Sequence, residues 1–402
     1  MKITRMWVAN DGGHTPTVPS RRVSRAAFSL LAAVAVVAVG CGEPAVRVVR
    51  VPLGFALRSP SVQVTDAERV YIAYGTDESA VFVVRSDDGG VTFGEPASIS
   101  GDGAAYVSGE WGPKIAVGGD ESLHLLWMRR VLRPDGSRGR KTEFVYQRSL
   151  DGGSTWSEPR RIQDENQPMH EGVANSADER GNVAIVWLDS RVQPDADTAD
   201  HGAHGSALPL VLARSGDNGA TFSANHVVES PYAGDACICC APDLAWRDGR
   251  LLIAFRGASE NIRDIHVLEE EALPASFRHI AVADQGWELD GCPADGPRLT
   301  VSATRLGVAW MSEGQVYHAS ADANGRFGEP RPPTAARQVE RGFPFALRNR
   351  RHGDLLAWTE GGSIHWELLD GAGASTGSSS RPAAGGRPTG YVDGEDRFVL
   401  VF

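Results

Sequence analysis

The chain has 402 residues, 42% of them hydrophobic, with a formal net charge of -11. That is enough apolar material for a large packed core, and no stretch is long enough or polar enough to be a disordered domain. The acidic balance excludes a general attraction for phosphate backbones or anionic lipid surfaces, so nucleic acid is not an expected partner.

At the N-terminus, Arg21, Arg22 and Arg25 precede an apolar run from Ala26 to Val39, which ends in Ala38-Val39-Gly40-Cys41. A basic flank, a short apolar stretch and small residues before a cysteine predict a signal peptide over residues 1–40. The run falls short of the ~20 apolar residues that a membrane-spanning helix needs. Cys41 resembles the lipidated cysteine of bacterial lipoproteins, although Ala38 stands where that pattern prefers Leu. The expectation is an extracytoplasmic protein, held to the membrane only by a lipid at Cys41, with residues 41–402 as one domain.

Downstream, a unit recurs at roughly 40–50 residues, the spacing of propeller blades. Each copy carries a β-branched, apolar strand closing on an aromatic: Val70-Tyr74, Leu123-Trp127, Val183-Trp187, Leu251-Phe255, Leu306-Trp310 and Leu355-Trp358. Six such strands predict an all-β, six-bladed β-propeller. The apolar stretch Val46 to Leu53 is expected to close the ring. The Gly, Ser and Pro-rich segment from Gly371 to Gly390 reads as a flexible surface loop before a last strand, Arg397 to Phe402.

Three copies end in a turn of one pattern. These are Ser86-x-Asp88-x-Gly90 to Phe93, Ser149-x-Asp151-x-Gly153 to Trp156, and Ser215-x-Asp217-x-Gly219 to Phe222; Ser320 to Phe327 is a degenerate fourth. Asp and Ser or Thr side chains satisfy backbone groups in such a hairpin and Gly takes the positive-φ positions, so these residues are read as structural. If the turns join third to fourth strands, function belongs to the opposite face, where each blade is entered.

Between the third and fifth copies lies Asp235-Ala236-Cys237-Ile238-Cys239-Cys240-Ala241-Pro242, followed by Asp290-Gly291-Cys292-Pro293. In an exported protein four such cysteines predict disulfides, for instance one of the first three to Cys292. Alternatively, thiolates beside Met169 and His170, with Met128 and Met311 at strand ends or blade entries of the same face and His201 and His204 in the blade-three loop, offer a soft-metal site for copper or zinc.

The repeated turns and blade spacing resemble the Asp boxes of the sialidase superfamily. Cys237-x-Cys239-Cys240, Asn261-Ile262-Arg263-Asp264 and Trp287 to Pro293 are similar to a subgroup of exported sialidase-like proteins. The resemblance implies that Arg58-Ser59-Pro60 carries the first carboxylate-binding arginine and Arg256 the second. Arg298 or Arg341 supplies the third, with Arg263 nearby, and Asp77 is the acid. The family's glutamate position holds Cys240 here, and the segment near its tyrosine nucleophile reads Arg341-Gly342-Phe343-Pro344. Standard sialidase catalysis is therefore not expected. What remains is an anionic small molecule or glycan bound in an arginine-lined axial pocket. The alternatives are a glycoside hydrolase with a rewired carboxylate set including Asp77 and Glu260, a copper or zinc lipoprotein, and a partner-binding platform.

Overall fold

The computed structural model describes residues 46–49, 58–65, 68–100, 105–108, 111–132, 138–164, 170–189, 207–229, 232, 236–272, 276–322, 324–334, 339, 341–349, 353–371, 373–382 and 387–401. The leader over residues 1–40, Cys41, Met169, His201 and His204 lie outside them, as does the His170 side chain. Among the described residues no helix is long and apolar enough to cross a membrane.

The chain is an all-β propeller of seven blades rather than six. Blade one comprises Arg58–Val64, Val70–Gly75, Val81–Ser86 and Ala97–Ser98, each strand antiparallel to the last. Blade two begins at Lys114–Val117, blade three at His170–Ala177, blade four at Asp243–Arg247, blade five at Arg298–Ser302 and blade six at Phe345–Arg348. The six strands picked out in sequence are the second strands of these blades. The seventh blade pairs Thr389–Val392 and Phe398–Val401 antiparallel, and Val46–Val49 then joins Phe398–Val401 in parallel. Each first strand touches the next around the axis, and the seventh returns to the first.

The second strands are central in their sheets and buried on both faces, which is why they read as continuous apolar runs. Their closing aromatics fill the spaces between blades, and the indole N–H groups reach acceptors there. Trp187 donates to Asp189 at 2.8 Å, Trp127 to Gln147 at 2.9 Å and Trp358 to Glu360 at 3.0 Å. Burying a tryptophan at these positions therefore leaves no orphaned donor. Met128 and Met311 belong to the same inter-blade cores, which removes them from a sulfur-rich ligand set.

In the three patterned turns the serine hydroxyl donates to the aspartate, at 2.7 Å from Ser86 to Asp88, 2.8 Å from Ser149 to Asp151 and 2.7 Å from Ser215 to Asp217. The same hydroxyls accept from the N–H groups of Gly90, Gly153 and Gly219. A Cβ on Gly219 would sit 1.7 Å from the Tyr146 hydroxyl, at a φ of +73°, so only glycine fits. Each turn also docks on the preceding blade. Arg47 of blade seven and Arg85 and Arg148 of blades one and two donate to the carbonyls of Gly89, Gly152 and Asn218 at 2.7, 3.1 and 2.7 Å.

One segment differs from the sequence expectation. Ser375–Pro382 is the outer strand of blade six, not a loop; an exposed edge strand needs a paired neighbour, here Ser363–Leu369, but no apolar pattern. The degenerate turn after Ser320 keeps Asp322 as acceptor for the Arg326 N–H at 2.9 Å. It closes a blade of three strands among the described residues.

Candidate functional site

An axial cavity of about 450 Å³ runs along the seven first strands. Its charged lining comes from the points where blades begin. Lys114, Asp243 and Arg298 are the first residues of their strands, Asp295 precedes Arg298 in the loop entering blade five, and Arg387 precedes Thr389 of blade seven. Antiparallel blades place these starts at the opposite ends of the strands from the third-to-fourth turns, so the charges gather at one mouth.

Both carboxyls are raised above the usual range, because burial penalises their charged form. For Asp243 the opposing influences are the Arg298 guanidinium, the Leu299 N–H donated at 2.7 Å, and Lys114. For Asp295 they are Arg256, the Phe343 N–H donated at 2.9 Å, Arg298 and Arg387. Arg298 thus acts on both acids, and its Nη1 donates to the Pro297 carbonyl at 2.9 Å, which fixes its stem. The Arg387 guanidinium carbon lies over the Phe343 ring, 3.6 Å from its centroid, a cation–π contact. Three cations thus stand around two carboxyls whose ionisation burial opposes, although the chain as a whole is acidic.

The arginines inferred from the family pattern are placed differently. Arg256 is fully buried and lies outside the cavity lining. Its Nε and Nη2 donate to the Asp295 carbonyl at 3.1 and 2.9 Å, Nη1 to Arg263 at 2.8 Å and Nη2 to Met311 at 2.7 Å, all main-chain oxygens. With its donors committed to these carbonyls it is a brace between blades four and five, not a carboxylate clamp. Arg263 is also buried, held by its N–H to Trp287 at 2.8 Å. Arg58 starts blade one, but Ser59 has a φ of +47° and the register shifts between Arg58 and Ser61. That bulge carries Arg58 off the axis into an exposed ion pair with Asp77. The arginine and the acid assigned separate roles are thereby partners of each other. Glu260 is exposed in the turn Ser259–Asn261, and Arg341 is exposed. Of the ligand-gripping and catalytic candidates named from sequence, Arg298 alone lines the cavity; Asp243, Asp295, Lys114 and Arg387 were missed.

Cys239 and Cys292 form a disulfide with a Cα separation of 6.2 Å, tying the entry of blade four to that of blade five. The sulfurs of Cys237, Cys239 and Cys240 lie within 4.8 Å of one another. With Cys239 spent in a disulfide, two thiols remain in this group, which does not fit a four-coordinate thiolate zinc centre.

No protein-family model matches the chain, and no curated protein matches its sequence. Among solved structures, a protein of unknown function from Dyadobacter fermentans is similar at a TM-score of 0.50 and 14% identity, over 83% of this chain and 96% of that one. A mutant of AofleA from Arthrobotrys oligospora is similar at 0.50 and 11% identity, over 82% of this chain and 88% of that one. The intramolecular trans-sialidase from Ruminococcus gnavus reaches 0.41 and 12%, over 85% and 88%. At these identities the likeness concerns the fold alone, and the value of 0.41 supports no further argument.

Proposed function

We propose that this chain is an exported, lipid-anchored propeller of the sialidase-like kind that binds an anionic ligand, an acidic glycan, at the mouth of its axial cavity. The observation that carries the reading is the convergence of Arg298, Arg387 and Lys114 on a cavity whose two acids are held toward their neutral forms. A volume of about 450 Å³ is suited to one or two sugar rings. Fixed guanidinium groups select a carboxylate over a hydroxyl because they donate in a planar fork. In this reading the grip rests on Arg298, Arg387 and Lys114 in place of Arg58, Arg256 and Arg341. The anchor at Cys41 is supported by the basic and apolar leader before it.

The paired acids favour one second reading. Two carboxyls of raised pKa in one cavity are the equipment of a glycoside hydrolase, with Asp243 and Asp295 in place of Asp77 and Glu260. Calorimetric titration with sialic acid, glucuronate oligosaccharides and their neutral counterparts, beside turnover of fluorogenic glycosides, separates the two. The expected result is binding of the acidic sugars, lost in Arg298→Gln, without turnover. Equal binding of neutral and acidic sugars, or none, overturns the proposal. Turnover abolished by Asp243→Asn or Asp295→Asn establishes the hydrolase instead.

A further inference from the structure

The sulfur cluster has no part in the axial cavity. The Cys239–Cys292 disulfide is half-buried, while Cys237 and Cys240 lie beneath it at 2% exposure each, outside any disulfide. The Cys240 N–H donates to the Cys237 carbonyl at 3.1 Å, closing a tight turn that folds the Cys237 thiol back onto its neighbour. Its Sγ lies 3.5 Å from the Sγ of Cys239, in van der Waals contact with a sulfur already in a disulfide. The position is rigid: Ala236–Cys237 pairs with Ala207–Leu208, and Ala236 bridges to Gly257.

The surroundings favour a nucleophile. The Cys237 thiol is pulled below its ordinary value by a hydrogen bond from Cys240, then by Arg256, the Cys239 backbone and Arg263, against the burial that opposes ionisation. The Cys240 hydrogen bond, with two buried guanidinium groups nearby, thus favours the thiolate form of Cys237, the form that attacks disulfides.

We propose that this cluster is a thiol–disulfide exchange site, in which Cys237 attacks Cys239 and releases Cys292 as an accessible thiolate that reacts with low-molecular-weight disulfides of the glutathione class. In the first step the Cys237–Cys239 bond forms as the Cys239–Cys292 bond breaks, and the electron pair of the broken bond leaves on the Cys292 sulfur. The proton given up by Cys237 passes to solvent or to Cys292, and the protein's oxidation level is unchanged. In the second step the Cys292 thiolate attacks the small disulfide, RSSR, giving a mixed disulfide on Cys292 and one RS⁻. This inference is independent of the ligand proposed for the cavity.

Disulfide mapping by mass spectrometry on the full chain tests it. After a brief pulse of iodoacetamide and acid quench, exchange predicts alkylated Cys292 in the same molecules as a Cys237–Cys239 bond. Incubation with oxidised glutathione predicts an adduct on Cys292, absent from Cys237→Ser. Should that variant fail to fold, the alkylation pulse on the unaltered chain decides alone. Cys239–Cys292 intact in every molecule, with label only on Cys237 or Cys240, overturns the proposal. So does a chain with four reduced thiols and stoichiometric zinc or copper.

Discussion

Arg256 and Asp295 are joined by two hydrogen bonds from one guanidinium to one main-chain carbonyl, at 3.1 and 2.9 Å. Asp295 also lines the axial cavity, so the contact ties the brace between blades four and five to the cavity wall. Replacing Arg256 with Met leaves the carbonyls of Asp295, Arg263 and Met311 without that donor in a buried site. The cost is about 3–5 kcal/mol, read as a lower denaturant midpoint. A variant that kept its stability and lost only ligand affinity would return Arg256 to the role the sequence suggested.

The two aspartates predict how anion binding varies with pH. Burial raises both, so each is protonated on acidification earlier than an exposed aspartate. Losing a negative charge next to Arg298 strengthens the mouth's hold on an anion. Affinity for an acidic sugar is expected to rise as pH falls, until the sugar itself is protonated. Asp295→Asn removes the titrating charge and should flatten the pH dependence of binding. Titration calorimetry on the variant across pH 4–8 checks this; a pH dependence equal to that of the unaltered chain would show that the acid does not act on the ligand.

Most of the fold was legible because a central blade strand is buried on both faces and must be apolar throughout, as Val183 to Trp187 is. The seventh blade was hidden by being divided. Thr389–Val392, Phe398–Val401 and Val46–Val49 have four residues each, come from both ends of the chain, and carry no patterned turn. The strands expected to close a six-bladed ring are thus a blade of their own. The site was less legible for a geometric reason. Position at a strand end does not say whether a guanidinium faces the axis, as Arg298 does, or turns into a loop, as Arg256 does. The available signal was charge beside proline at a blade entry, Pro242-Asp243 and Asp295-Gly296-Pro297-Arg298.

The patterned turns should matter for stability and not for ligand binding. Ser86 is buried, accepts from the Gly90 N–H at 2.8 Å and donates to Asp88 at 2.7 Å, so Ser86→Ala removes both. The expected loss is about 1–2 kcal/mol, with sugar affinity unchanged. Affinity falling in parallel with stability would mean that the turn end and the entry end of blade one are coupled.

Buried histidines give the fold an acid limit of its own. His124 is fully buried, with Nε2 2.9 Å from the Ser122 hydroxyl and Nδ1 2.7 Å from the Tyr146 hydroxyl. Burial lowers it from 6.5 to about 4, against the attraction of Asp120. Since its folded value lies below its unfolded one, its neutral ring stabilises the fold above pH 6.5. That contribution is lost as pH falls from 6.5 to about 4, where the unfolded chain binds a proton that the folded chain refuses. Asp243 and Asp295 act with the opposite sign, being raised on folding, so total stability against pH mixes the two. The comparison with His124→Gln isolates the histidine: the variant's deficit at pH 7 should shrink by up to about 3 kcal/mol at pH 4. Urea midpoints at both values measure it, and a deficit independent of pH would show that His124 is protonated inside the fold.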